Sequence, residues 1–207
     1  MRIIWFIDAE YLLRAAPGPF DYLKLKAYIE KQIGEALYEG YFLNSAPQMR
    51  SDAQEGFYTW LKSAAPHGPR LRIQLYRLRN IRCKCPACGE WFDRNIQSGV
   101  DVGIVTLLMR LAAVDHFDRA LISIGDGEYQ DALAFVKTEL GKELWLCGFD
   151  GTINPELQCH ADHVLWLDDG WDGFKKGERR RRDEQADEYD DDDDYDDDDD
   201  DEGDDDD

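Results

Sequence analysis

The sequence predicts an α/β protein with a mainly parallel sheet and helices on its faces, and three observations carry that reading. Apolar, β-rich runs alternate along the chain with segments of helical period. The first run, Ile3 to Ile7, is apolar at every position, as a central strand covered on both faces must be. Acidic residues then stand just past predicted strands, at Asp8 and Asp126, where loops of an open parallel sheet converge.

The elements follow in order. Residues 2 to 7 read as the first strand. Leu23, Leu25, Ile29, Ile33 and Leu37 recur near helical spacing within 21 to 37, and 38 to 43 read as a second strand. A second helix is expected over 48 to 64, closed by Ala64, Ala65 and Pro66. Residues 70 to 78 alternate basic with apolar side chains, the pattern of a strand with one face in solvent. Residues 79 to 98 hold three cysteines and read as an inserted hairpin. Beyond it come an apolar helix at 99 to 113, a strand at 120 to 124 and a helix at 128 to 140. A strand at 143 to 148, a short helix near 154 to 160 and a last strand at 163 to 167 complete the series. The folded domain is thus expected over 1 to 170, with a basic linker over 171 to 182.

The net charge of -21 misrepresents this domain. Of the 45 acidic residues, 20 fall within 183 to 207, which holds no basic residue, so 25 acids face 24 bases in the rest. A run of like charges with almost no apolar surface cannot offset its chain entropy, and the acidic tail is expected to be disordered. No stretch of 18 apolar residues predicts a membrane span, and the apolar run at the N-terminus is too short for a secretion signal. A cytoplasmic protein with reduced thiols is the expectation, since five cysteines, three of them at Cys83, Cys85 and Cys88, do not suit a secreted disulfide framework.

The chemistry is suggested by carboxylates from separate segments. Asp8 follows the first strand, Asp101 sits in Gly-Val-Asp-Val-Gly at the start of an apolar helix, and Asp126 sits in Ile-Gly-Asp-Gly-Glu-Tyr, with Glu128 just beyond. Two carboxylates ~4 Å apart repel by about 4 kcal/mol at an effective dielectric near 20, so a shared pocket needs a cation or protons. Short, hard oxygen ligands suit Mg²⁺ or Mn²⁺, and such an ion suits phosphodiester hydrolysis. Each aspartate taken alone also fits a helix cap or a turn, and that alternative stays open. Asp131, Asp162, Asp168 and Asp169 are read as caps or solvated ends.

In the order Phe-Ile-Asp-Ala-Glu-Tyr-Leu, Gln-Ser-Gly-Val-Asp-Val-Gly, Ser-Ile-Gly-Asp-Gly-Glu-Tyr and Ala-Asp-His-Val-Leu-Trp-Leu, the chain resembles the NYN domain, the LabA-like branch of the PIN-like nuclease superfamily. The resemblance spans residues 2 to about 168. It implies a three-layer α/β/α sandwich and a metal-dependent ribonuclease, with the family's acids carried over to Asp8, Asp101 and Asp126 and with Glu128 where an Asp is usual. Asp8 and Asp126 are expected to hold the metal directly, Asp101 to complete the site, and Glu128 to serve a second metal or act as base. The family commonly has an Asn three residues after its first Asp. Here that position is Tyr11, with Glu10 and Asn44 as candidate substitutes. The alternative function is a catalytically weak, nuclease-like module that binds RNA or protein.

Two further features stand outside the acids. Cys85-Pro-Ala-Cys88-Gly has the shape of a zinc knuckle, with Cys83 as a third ligand and Cys147, Cys159, His160, His163 or a partner subunit to complete it; free thiols are the other reading. Arg70, Arg72, Arg77, Arg79, Arg82 and Lys84 form the densest basic stretch before the linker, with aromatic residues nearby. They are candidates for RNA binding, or for a solvated strand face. The acidic tail is read as a competitor of RNA, a dock for a basic protein partner, or a solubility device, and a homodimer is left open.

Overall fold

The computed structural model of the chain describes residues 1–96 and 99–177. The acidic tail and the linker from residue 178 lie outside these residues. In chain order the elements are β1 (Ile3–Asp8), α1 (Ala9–Ala15), α2 (Tyr22–Ile33), β2 (Glu39–Ala46), α3 (Asp52–Lys62), β3 (Arg72–Arg77), β4 (Arg79–Lys84), β5 (Trp91–Ile96), α4 (Val100–Ala113), β6 (Arg119–Ser123), α5 (Gln130–Thr138), β7 (Glu143–Gly148), α6 (Pro155–Gln158), β8 (His163–Trp166) and α7 (Trp171–Phe174).

Six of the strands form one parallel sheet in the order β3-β2-β1-β6-β7-β8, flanked by helices as a three-layer α/β/α sandwich. The centre of this sheet is β1, all six of whose residues are buried. Its apolar side chains each contribute roughly 1.5–3 kcal/mol on burial. Register is fixed inside the core as well, where the Trp5 indole Nε1 donates to Ser123 Oγ at 3.0 Å. The chain builds outward from β1 in one direction through β2 and β3, then crosses back to β6 and continues the other way. That reversal sits between β1 and β6 and leaves a crevice beyond their carboxyl ends.

The helices begin where their caps dictate. Asp21 accepts from the backbone N–H groups of Leu23 and Lys24, and α2 then buries Tyr22, Leu25 and Ile29 on one stripe before ending at the left-handed Gly34. A reciprocal Ser51–Gln54 capping box opens α3. Among the described residues no helix is long and apolar enough to cross a membrane.

Two elements depart from expectation. The seven-residue α1 follows β1 without a break, because Asp8 ends the strand and caps the helix at once. The folded unit also runs past residue 170, to Lys176. Phe174 is fully buried, with its ring 5.4 Å from both Trp171 and Tyr28, and Phe20 bridges to Lys175. Residues 171 to 176 therefore close the core rather than open the linker. Their single turn is too short to show a period in the sequence.

The insertion is a separate antiparallel hairpin, β4 with β5, from Arg79 opposite Ile96 to Lys84 opposite Trp91.

Candidate active site

The crevice between β1 and β6 collects acidic side chains from three segments. Asp8, Glu10, Tyr11, Arg14, Asp101, Gly125 and Asp126 line a cleft of about 170 Å³. Asp8 reaches it as the last residue of β1, Asp101 from the first turn of α4, and Asp126 from the loop after β6. The sequence motifs thus place Asp8, Asp101 and Asp126 together. Glu128 is not among the lining residues; it is exposed, and its backbone N–H donates to Asp126 Oδ1 at 3.2 Å.

Each aspartate is held by one or two hydrogen bonds, and the cap reading proves compatible with the cleft. Asp8 Oδ1 accepts from the backbone N–H groups of Glu10 at 3.0 Å and Tyr11 at 3.2 Å, bonds in which Oδ2 takes no part. Asp101 Oδ1 accepts from the Tyr129 hydroxyl at 2.6 Å. Burial pushes the Asp8 carboxyl up to about 6, the charges of Asp101 and Glu10 push the same way, and the two backbone N–H bonds oppose them. The Tyr129 phenol is raised by burial and by its bond to Asp101, so it stays a neutral donor. No salt bridge among the described residues engages Asp8, Asp101 or Asp126.

Tyr11 has a packing role. Its ring is buried, and its hydroxyl lies 2.9 Å from Thr152 Oγ1. A Cβ on Gly125 would stand 2.4 Å from Tyr11 Cε2, and one on Gly148 would stand 2.0 Å from its hydroxyl oxygen. The two glycines therefore exist, in part, to admit this ring. Asn44 does not line the cleft; its Oδ1 accepts from the next backbone N–H, that of Ser45.

Sequence reasoning missed Arg14 and Tyr129. Arg14 stands in the last turn of α1 and Tyr129 in the short 3₁₀ turn capped by Asp126, so each was hidden by a short element. The Asp8 cap with Glu10 in the first turn was the available signal for α1.

The donor set fits a hard divalent cation in its chemistry, being three carboxylates without a protein cation paired to any of them. The buried Tyr22 hydroxyl also finds no hydrogen-bond partner among the described residues, and it lies near enough to Asp8 for the two to interact electrostatically. As the side chains stand, no three His, Cys, Asp or Glu groups among the described residues are gathered closely enough to hold a metal ion. Cys83, Cys85 and Cys88 are no more gathered into such a group than the acids. Cys147, offered as a completing ligand, is fully buried in β7.

The basic stretch is divided by the fold. Arg70 and Arg72 stand at the amino end of β3, where Arg72 pairs with Glu39. Arg77 lies about 16 Å further on at the carboxyl end. There Arg77 and Arg79 line a groove of about 660 Å³ with Pro47, Gln48, Asn80 and Ile81. Arg82 and Lys84 continue onto the hairpin, with the Arg82 guanidinium 5.6 Å from the centre of the Trp91 ring. The six residues therefore do not form one patch, and only the later four share the acidic cleft's edge of the sheet or extend from it. Asp162 and Asp168 are structural as expected, accepting from the backbone N–H groups of Leu144 and Asp150.

A parallel sheet with acids gathered at its switch point is compatible with a nuclease-like, PIN-type domain. The sequence matches the NYN domain family over residues 2–168, and the chain belongs to that family. A crystal structure of a Vibrio parahaemolyticus protein, described as of unknown function, shares the fold with a TM-score of 0.59 and 20% identity, over 84% of this chain and 95% of that one. No curated protein matches the sequence.

Proposed function

We propose that this NYN domain is a Mg²⁺- or Mn²⁺-dependent ribonuclease that hydrolyses phosphodiester bonds of single-stranded RNA. The observation that carries the reading is the convergence of Asp8, Asp101 and Asp126 on one cleft without paired cations. These three would hold the ion. When bound, the ion supplies charge stabilisation at the phosphodiester and a more acidic water.

The chain's own residues then do the following. Asp8 is fixed in direction by the two N–H groups of α1, and Tyr129 fixes Asp101. Arg14, on the same cleft, offers a guanidinium for a phosphate oxygen, a geometry Lys cannot reproduce. The groove at Arg77 and Arg79 lies two strands from Asp8, about 10 Å across the sheet, and gives the RNA backbone a cationic approach. Glu128 receives no direct role.

The test is cleavage of single-stranded RNA by the purified chain with Mn²⁺ and with EDTA. Cleavage is expected with the ion only, and Asp126→Asn is expected to lower it roughly 100-fold or more. Undiminished cleavage by that variant would remove Asp126 from the site. One observation favours a second reading, a catalytically weak RNA-binding module: Tyr11 occupies the position of an expected amide and turns its hydroxyl to Thr152. Salt-sensitive RNA binding without cleavage in either ion would establish that reading instead.

A further inference from the structure

The β4–β5 hairpin has a feature that RNA hydrolysis does not use. It forms its own two-stranded sheet, and its large apolar side chains are open to solvent: Ile81 is 40%, Trp91 58% and Phe92 48% exposed. Two strands alone are marginally stable in water, so a hairpin built this way gains from an additional tie.

Its turn carries two free cysteines three residues apart, Cys85 half-buried and Cys88 exposed. The Cys85 carbonyl accepts from Gly89 N–H at 2.9 Å, Cys85 N–H donates to Glu90 O at 2.8 Å, and Gly89 turns the chain at φ 76°. Both thiols thereby stand on one tight bend at the tip of the hairpin. A closed tetrahedral zinc site needs four ligands. Cys83 lies about 7 Å back along the strand and is not gathered with them, and no other His, Cys, Asp or Glu of the described residues joins them in a metal-binding group. Cys159, His160 and His163 belong to the region of β8, the far edge of the sheet from β3, some 24 Å away across five strand spacings.

We propose that this tip is half of a four-thiolate zinc site, and that a second copy of the chain completes it, so that Cys85 and Cys88 from two chains hold one Zn²⁺ about a twofold axis. A twofold contact presents the same patch from both sides, which turns two ligands into four. The exposed Trp91 and Phe92 beside the tip would be covered in the same contact.

The experiment measures zinc content and molar mass of the full chain purified with zinc under reducing conditions. One zinc per two chains, in a dimer that chelation returns to monomer, is expected. Cys85→Ser and Cys88→Ser should each lose zinc and dimer together, while Cys83→Ser keeps both. One zinc per chain, a zinc-free monomer, a dimer that outlasts chelation, or loss of zinc in Cys83→Ser would each overturn the proposal. Cobalt substitution in the unmutated chain gives a readout independent of variant folding. Tetrahedral four-sulfur absorption saturating at one Co²⁺ per two chains is expected, and any other stoichiometry counts against it.

Discussion

The two edges of the central sheet treat the same side chain in opposite ways. At the amino edge nearly every acid has a cation. Asp118 accepts from the backbone N–H of Arg2 at 2.7 Å and from its guanidinium at 2.6 Å, Asp115 pairs with Arg2 and Lys142, and Glu143 pairs with Arg119 at 2.9 Å. The Arg2 guanidinium and N–H hold the Asp118 carboxyl down at about 2. At the carboxyl edge Asp8 is buried beside other acids, and its carboxyl rises to about 6. Aspartates before the strands are thus stabilising partners. Those after the strands carry unrelieved charge, the arrangement expected where binding rather than stability has been selected.

The largest effect expected from breaking this contrast is at Asp8. Asp8→Asn keeps a good N-cap but removes the charge, so RNA cleavage should fall roughly 100-fold, while the metal-free protein should gain stability of order 2 kcal/mol at pH 7. The sign follows from a folded value raised above the unfolded 3.8: below 3.8 both states are protonated and the parent matches the variant, and the parent's penalty grows to full size above about 6. Urea denaturation in EDTA across this range checks it, and a destabilised variant at pH 7 would show that Asp8 is satisfied by the protein alone.

A smaller change separates packing from chemistry within the cleft. Tyr11→Phe retains the ring under Gly125 and Gly148 and loses only the bond to Thr152. It should cost about 1 kcal/mol and leave the cleavage rate unaltered; a large rate loss would make the hydroxyl part of the reaction.

The smallest effect is expected at the amino edge, because exposed ion pairs contribute little. Asp118→Asn should lower the melting temperature slightly at pH 7, the reverse of Asp8→Asn. With a folded value depressed below 3.8, that difference is complete above 3.8 and fades as the pH falls toward about 2. A melting temperature that rises in this variant would end the contrast between the edges.

Much of the architecture was legible because burial on both faces writes itself as period. The run over Ile3 to Ile7 and the strand at 143 to 148 lie where they were read, and the capped α2 falls within its expected range. Of the short elements, α6 was read near its place, but α1 and α7 were not legible. The seven residues of α1 and the four of α7 hold too few turns to display a stripe, and their existence rests on Asp8 as a cap and on Phe174 as a core residue. At the site, the aspartates were readable from strand ends and Gly-Asp-Gly spacing. Arg14 and Tyr129 were not, since Arg14 reaches its place through α1 and Tyr129 through the 3₁₀ turn Gly127–Tyr129.

Local pattern in the chain was sufficient for the α/β class, the parallel sheet, the inserted hairpin and the placing of three aspartates at one end of the sheet, because each depends on residue type at a fixed spacing. Only the tertiary structure decided which charges are neutralised. The sequence places Arg70 through Lys84 in one basic stretch, yet a strand about 16 Å long carries Arg72 to Glu39 at one edge and Arg77 to the groove at the other. Pairing depends on distance in space, and that is set by how strands from remote segments lie side by side.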